Sequence, residues 1–269
     1  MASNFSSDNQ TLGRGEIHFS TFLTGTKTPS GFRYVGNTPS FGISIRTQTL
    51  DHYSSDHGIK IKDKSVPLQT DYSATLTMDD IQPENLALLF LGTSETVTQA
   101  AATATAETIT SVLPGLSYQL GLSDGNPAGV RNLANVTASI PAAASGGTAT
   151  ALTLGTDYTV DTTRGTITFL TSSTAVTSGA SVAVTYDVTA YKEDRVISGT
   201  QSLTGALKFL AYNPQGDQID YYMPYVRISP TGDFALKADT WQQMSFTTDI
   251  LVQTDRAAIY ANGAPYAAS

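Results

Sequence analysis

The chain of 269 residues carries 23 acidic against 15 basic side chains, a net charge of −8, and no cysteine. It therefore lacks the basic excess that displaces counterions from nucleic-acid phosphates, and it has no disulfide scaffold, thiol nucleophile or Cys-based metal site. The length suits one large β domain or two small ones. No run approaches the roughly 18 apolar residues that cross a bilayer, and residues 1–8 lack the basic and apolar regions of a secretory signal, so use in a cytoplasm is expected.

Residues 1 to 15 are polar and Gly-bearing and read as a flexible arm. Residues 16–22 read as a first strand, 24–31 as a loop, and 32–37 as the lead into the next strand. Across 41–49, and again across 71–78, apolar and polar residues alternate with the period of 2 that marks a sheet with one buried face. Between them, 51–65 is far longer than a hairpin turn requires. It carries three lysines and two isoleucines, and a loop of this length in a compact domain is expected to make contacts.

A short helix is expected over 80–92. Asp79 or Asp80 would cap it, Pro83 and Glu84 suit its first turn, and Gly92 would stop it. Leu86, Leu89 and Phe90 would share the face that plugs one side of the sheet. Residues 96–187 then change character, becoming rich in Ala, Thr, Ser and Gly. Residues 98–110 fit either a linker or a weak strand. A hairpin is expected with arms 157–161 and 166–170 about a turn at 163–165, followed by a strand at 181–188. The stretch reads as a small β lobe inserted into a main domain formed by 1–95 and 188–269.

The main pattern resumes with a strand at 206–212, a turn at 213–217, and a strand at 219–228 in which Pro224 marks an edge or a bulge. A last long strand is expected at 241–252. Met244, Phe246, Ile250 and Val252 would share one face, and Ser245, Thr247 and Asp249 the other. Residues 256–269 read as a surface extension.

No constellation points to catalysis. His18, His52 and His57 have neither a cysteine nor a His-x-x-x-His pairing, so no metal is expected. There is no Gly-x-Ser-x-Gly elbow, phosphate-binding loop or dinucleotide fingerprint, and no cofactor is expected. Asp124-Gly125-Asn126 lacks the other ligands of a calcium loop and reads as a turn. Asp79 and Asp80 are better explained by helix capping than by acid–base chemistry. Tyr212, Tyr221, Tyr222, Tyr225, Phe234, Trp241 and Phe246 could stack on bases or sugars, but without basic neighbours a β core and interface explain them better.

In order and pattern, the chain resembles the major tail tube proteins of long-tailed (siphovirus-type) bacteriophages. The residues that carry the resemblance are the strand 40–52, the long loop, the return strand 69–78 and the helix with 84–92. The late segments 207–216 and 222–226 and the closing strand 241–251 match as well. It spans about residues 14–95 and 190–255. It implies a mainly β subunit, a tail-tube-type β-sandwich or barrel with one short flanking helix, with the inserted lobe on the tube exterior. It further implies six subunits in a ring and rings stacked into a tube, the conduit for DNA ejection into the host cell. Such a protein is a non-enzymatic part of the virion tail, assembled in the host cytoplasm. Its partners are its own copies and other tail proteins at the tube ends. DNA passes through without specific binding, and no membrane is involved.

In this reading Asp71, Ser73, Thr75, Thr77, Ser245, Thr247 and Asp249 line the lumen, where acidic and hydroxyl groups would repel phosphates. Asp56, His57, Ile59, Lys60, Ile61, Lys62, Asp63 and Lys64 form the loop that reaches the adjacent ring, the lysines meeting acidic groups in a salt-sensitive contact. Long exposed strands also suit an obligate ring, where a neighbour's edge completes them. Two other readings stand beside it. One is a surface-exposed β-sandwich binding module, an adhesin or carbohydrate binder. The other, an enzyme such as a glycosidase, would need two converging carboxylates.

Overall fold

The alternation in the sequence becomes strand almost throughout the computed structural model, which describes residues 10–56, 58–142 and 148–263. Residues 1–9 of the expected arm and 264–269 of the expected extension lie outside the described residues. The chain divides into two compact units, Met1–Glu95 with Arg195–Ser269, and Thr96–Asp194.

The first unit opens with β1 (Gly15–Thr21), β2 (Arg33–Tyr34), β3 (Ser40–Ser54), β4 (Ile61–Met78) and helix α1 (Pro83–Leu89). The chain leaves through β5 (Thr93–Gln99) and forms β6 (Ala102–Val112), β7 (Ser117–Gln119), β8 (Leu133–Ile140), β9 (Thr150–Ala151), β10 (Tyr158–Asp161), β11 (Thr166–Phe169) and β12 (Ala180–Val188). It returns through β13 (Tyr191–Ile197), which pairs with β5, and ends with β14 (Leu203–Ala211), β15 (Ile219–Pro230), β16 (Met244–Ile250) and β17 (Tyr260–Gly263).

The first unit is one antiparallel sheet in the order β2-β1-β14-β15-β16-β4-β3, with β17 added to β15. The path ends at β2 and β3, so the sheet is open and not closed into a barrel. One face supplies the core: Ile17 and Phe19, Leu207, Met223 and Ile228, Met244 and Phe246, and Leu76 and Met78, with Leu88 of the helix against them. Each such side chain contributes about 1.5–3 kcal/mol on burial.

The helix is shorter than expected and is held differently. It begins after Gln82, whose side chain makes no cap, and Pro83 supplies the helical φ at its first position. Asp80 does not cap it; its carboxylate accepts from Gln82 Nε2 at 2.7 Å. The anchor is Asn85, fully buried, which donates to the carbonyls of Val35 and Asp80 and accepts from Arg33 Nη2 at 2.8 Å. Leu86 and Leu89 do pack on the core, but Phe90 is exposed. Leu91, not Gly92, takes the left-handed turn at φ 51°. Gly92 is needed for space, since a Cβ there would lie 1.7 Å from the Ile197 carbonyl oxygen.

The expected loop over 51–65 is mostly strand. Pairing runs from Ser40↔Thr77 to Ser54↔Ile61, so only residues 55–60 connect β3 to β4. Bulges after Gln48 and His52 add twist to this long hairpin. Lys62 Nζ and Ser65 Oγ both reach Asp51 Oδ1 at 2.7 Å, and His52 Nδ1 meets Asp63 Oδ1 at 2.6 Å.

Pro224 sits at a bulge, where the β14–β15 register jumps between Gly205↔Val226 and Leu207↔Met223. The last predicted strand shortens to Met244–Ile250, with Trp241 and Val252 exposed beyond its ends. The surface extension expected from residue 256 instead contains β17, paired to β15. Thr248 takes an inward position on β16, fully buried, and its hydroxyl meets no hydrogen-bond partner among the described residues. An orphaned buried hydroxyl is destabilising. Thr248→Val is therefore expected to raise unfolding stability by about 1 kcal/mol, read by urea denaturation.

The second unit, Thr96–Asp194, has its own core. A sheet β10-β11-β7 and a sheet β6-β12-β8-β9 share Val112, Leu120, Ile167, Phe169, Val182, Val184 and Tyr186. The ambiguous stretch 98–110 is strand apart from a break at residues 100–101 between β5 and β6, and the expected hairpin at 157–170 is present as β10 and β11. Burial, then Glu107 beside it, pushes the Tyr186 hydroxyl up to about 12.

Two aspartates pin irregular backbone in this unit. Asp187 accepts from the backbone N–H of Ala104 at 2.8 Å and from Asn135 Nδ2 at 2.6 Å, and both partners have positive φ. Asp157 accepts from Ser173 Oγ at 2.6 Å and from the Thr153 N–H at 2.8 Å. These bonds hold both carboxyls below the usual value of 3.8. A depressed folded-state pKa contributes stability above the unfolded value and loses it as pH falls through the folded one. The melting temperature is accordingly expected to fall below about pH 4. Asp157→Asn should lower it at neutral pH and flatten that acid slope, as thermal melts across pH would record.

Candidate functional site

The outward face of the first unit's sheet is where the predicted site residues meet. Alternation that sends Phe246, Leu76 and Phe41 inward sends their neighbours out, and the register aligns those neighbours in transverse rows. Arg227, Asp249, Ser73 and Ser44 form one row across β15, β16, β4 and β3. Ser229, Thr247, Thr75 and Gly42 form the next, and Ser245, Thr77 and Ser40 a third. Six of the seven predicted lumen residues thus lie on two adjacent strands in direct register. Asp71 lies one step further along β4, opposite Arg46 on β3.

The charges on this face are not the acidic surplus expected. Asp249 is bound by Arg227, Nη2 at 2.5 Å and Nε at 3.2 Å from Oδ2. Asp71 accepts from Gln69 Nε2 at 2.8 Å on both oxygens and faces Arg46 across the ladder. Sequence reading missed Arg227 and Arg46 because the strands' partners were unknown; the outward parity of each was already visible. The face is a hydroxyl surface with balanced charge.

The other half of the outward face is aromatic. Tyr34, His18, Lys208, Tyr222 and Tyr260 stand in one row across β2, β1, β14, β15 and β17. Lys208 Nζ lies 4.2 Å from the centroid of Phe32 and 5.5 Å from that of Tyr222, and Lys27 lies 4.7 Å over Tyr225. His18 Nε2 meets Glu16 at 3.1 Å. These tyrosines and Phe32 sit outside the core, while Phe246 lies within it.

The predicted contact residues fall at the far end of the β3–β4 hairpin. Ile61, Lys62, Asp63 and Lys64 are in β4, Asp56, Ile59 and Lys60 are in the connection, and His57 lies outside the described residues. Beyond Ile45 and Tyr72 the hairpin is exposed on both sides, save half-buried Asp51 and Ser54. Among the described residues no three His, Asp or Glu side chains converge to hold a metal ion, and no helix is long and apolar enough to cross a membrane.

Fold and face together define a mainly β protein with an open eight-stranded sheet, a projecting hairpin arm and a separately cored β insert. A family model described as "Protein of unknown function UCP028589" matches residues 10–263, and the chain belongs to that family. No curated protein matches the chain.

Proposed function

We propose that this is a structural virion protein that assembles as stacked hexameric rings into the tail tube of a long-tailed bacteriophage, the conduit for DNA ejection. The observation that carries the reading is β3. It is a sheet edge of 15 residues that continues past the core as an arm with exposed apolar side chains. An edge of this length in a free monomer is a template for further pairing, and a ring of identical copies would satisfy it. The register-aligned hydroxyl face beside it supports a lumen wall, because it offers phosphates no surplus of cations to bind.

Negative-stain electron microscopy of the purified protein across salt and concentration tests this. Regular rings or hollow tubes are expected. Dispersed monomers under every condition would sink the proposal. The aromatic row around Lys208 favours a second reading, a carbohydrate-binding β module, since aromatic faces stack on sugars. Lysines already cover several of those faces. A glycan-array signal from a protein that stays monomeric would favour that reading.

A further inference from the structure

The second unit carries its charges toward one end. β6 begins and β12 ends side by side, at the pair Ala102↔Val188, so the chain enters and leaves this sheet at the same end. Asp187 stands there, bonded to the Ala104 N–H, as does Arg131 with its partner Glu193. The carbonyls of Thr162 and Thr163 accept from the N–H groups of Leu133 and Asn132, and Leu133 pairs with Val188. That brings the β10–β11 turn, with the Asp161–Arg164 ion pair, to the same end.

The opposite end is marked by the pair Ala180↔Val112. Three connections meet there: 113–116 after β6, 152–157 after β9 and 170–179 after β11. The Phe169 N–H bonds to the Leu116 carbonyl and the Leu170 N–H to that of Asp157, which ties the three together. Their one charged side chain, Asp157, is buried against Ser173 and the Thr153 N–H. Instead of charge they expose aliphatic groups: Leu113 is 46% exposed, Leu116 50% and Leu154 61%.

These features choose among partners. Tyr158 and Phe169 at this end are buried and Tyr118 packs against their core, so their rings are withheld from a sugar face. Three half-exposed leucines fall well short of the about 800 Å² per partner that a stable protein contact buries. An anionic surface would call for Lys or Arg, and these connections have neither. Leucines free of neighbouring charge suit the boundary between neutral headgroups and acyl chains, where each buried CH₂ is favourable.

We propose that this neutral, leucine-bearing end of the second unit rests on a zwitterionic lipid surface, with Leu113, Leu116 and Leu154 entering the headgroup–acyl boundary. The contact goes beyond the tube reading, in which no membrane takes part, and does not depend on it.

Because the chain has no cysteine, one introduced thiol can carry an environment-sensitive dye. The dispersed full-length protein is labelled with nitrobenzoxadiazole at Thr156→Cys, exposed on the neutral end, or at Thr163→Cys, exposed in the charged turn, and mixed with phosphatidylcholine vesicles. A blue shift and a rise in emission are expected with the dye at 156 and not at 163. Added salt should leave the shift unchanged, and phosphatidylglycerol in the vesicles should not strengthen it. A Leu113→Ser/Leu116→Ser/Leu154→Ser variant that keeps the second unit's unfolding transition should need at least about tenfold more lipid for the same shift. No shift at 156, an equal shift at 163, or a serine variant that binds like the wild type would overturn the inference. A shift at 156 that grows with protein concentration in the absence of vesicles would overturn it in favour of contact between copies. Rings and tubes are scored separately by microscopy, so failure here leaves the tube reading intact.

Discussion

In the proposed assembly, tubes built from a Thr75→Lys/Thr247→Lys variant are expected to trap DNA, and wild-type tubes to release it. The two threonines are direct partners on adjacent strands, Thr75 exposed and Thr247 half-buried, and neither contributes to the core. Like charges directly opposite on paired strands are destabilising, by up to about 1 kcal/mol, which is small against a total stability of about 5–15 kcal/mol, so the subunit should still fold and assemble. Each subunit then adds two cations to the hydroxyl face. If about 6–10 phosphates are contacted, affinity should fall about 10³–10⁵-fold between roughly 50 and 200 mM salt. The measurement is co-sedimentation of short duplex DNA with tubes assembled in its presence, followed by nuclease. Pelleted DNA should resist digestion. Pelleted DNA that remains digestible would place the lysines on the outside and end the lumen assignment.

In the proposed tube the wild-type face would give DNA no such hold. Asp249 and Arg227 neutralise one another at 2.5 Å, and the row between them and the sheet edge is serine. A phosphate approaching this surface meets hydroxyls, which bond to water equally well, and a guanidinium already occupied. In the proposed tube, the passage of DNA would rest on balanced charge, and repulsion by an acidic wall would not be required.

The parts of the fold legible in the sequence are those with one wet and one dry face. Residues 71–78 alternate because Ala74, Leu76 and Met78 enter the core while Ser73, Thr75 and Thr77 do not. Beyond Asp71 the same strand is exposed on both sides, so no period survives and it reads as a loop. Only its cross-strand pairs, Leu50↔Val66 and His52↔Lys64, identify it, and these need the register. The helix cap failed for a related reason. Asp80 has the right chemistry and the right place in sequence, but Pro83 sets the start three residues later and Asn85 supplies the buried polar anchor. Thr248 was hidden in a polar-looking Thr247-Thr248 pair, of which parity buries one and turns the other, half-buried, to the outward face.

Neighbouring positions on β16 should respond in opposite ways. Phe246 is 1% exposed and opposes Leu76 on β4, which in turn opposes Phe41 on β3. Phe246→Ala empties the centre of the first unit's core and is expected to cost about 3–5 kcal/mol. Against a total stability of about 5–15 kcal/mol, that leaves the unit near or below its folding threshold. The second unit has a core of its own around Phe169 and Tyr186, so chemical denaturation followed by circular dichroism should show one transition shifted and one retained. Thr247→Ala, one residue on, should move neither transition by more than about 1 kcal/mol, the span of strand preference itself. The contrast tests parity directly. If Thr247→Ala unfolded the unit and Phe246→Ala did not, the dry face would be the one assigned to the lumen. The hydroxyl ladder, and the conduit argued from it, would then have no basis.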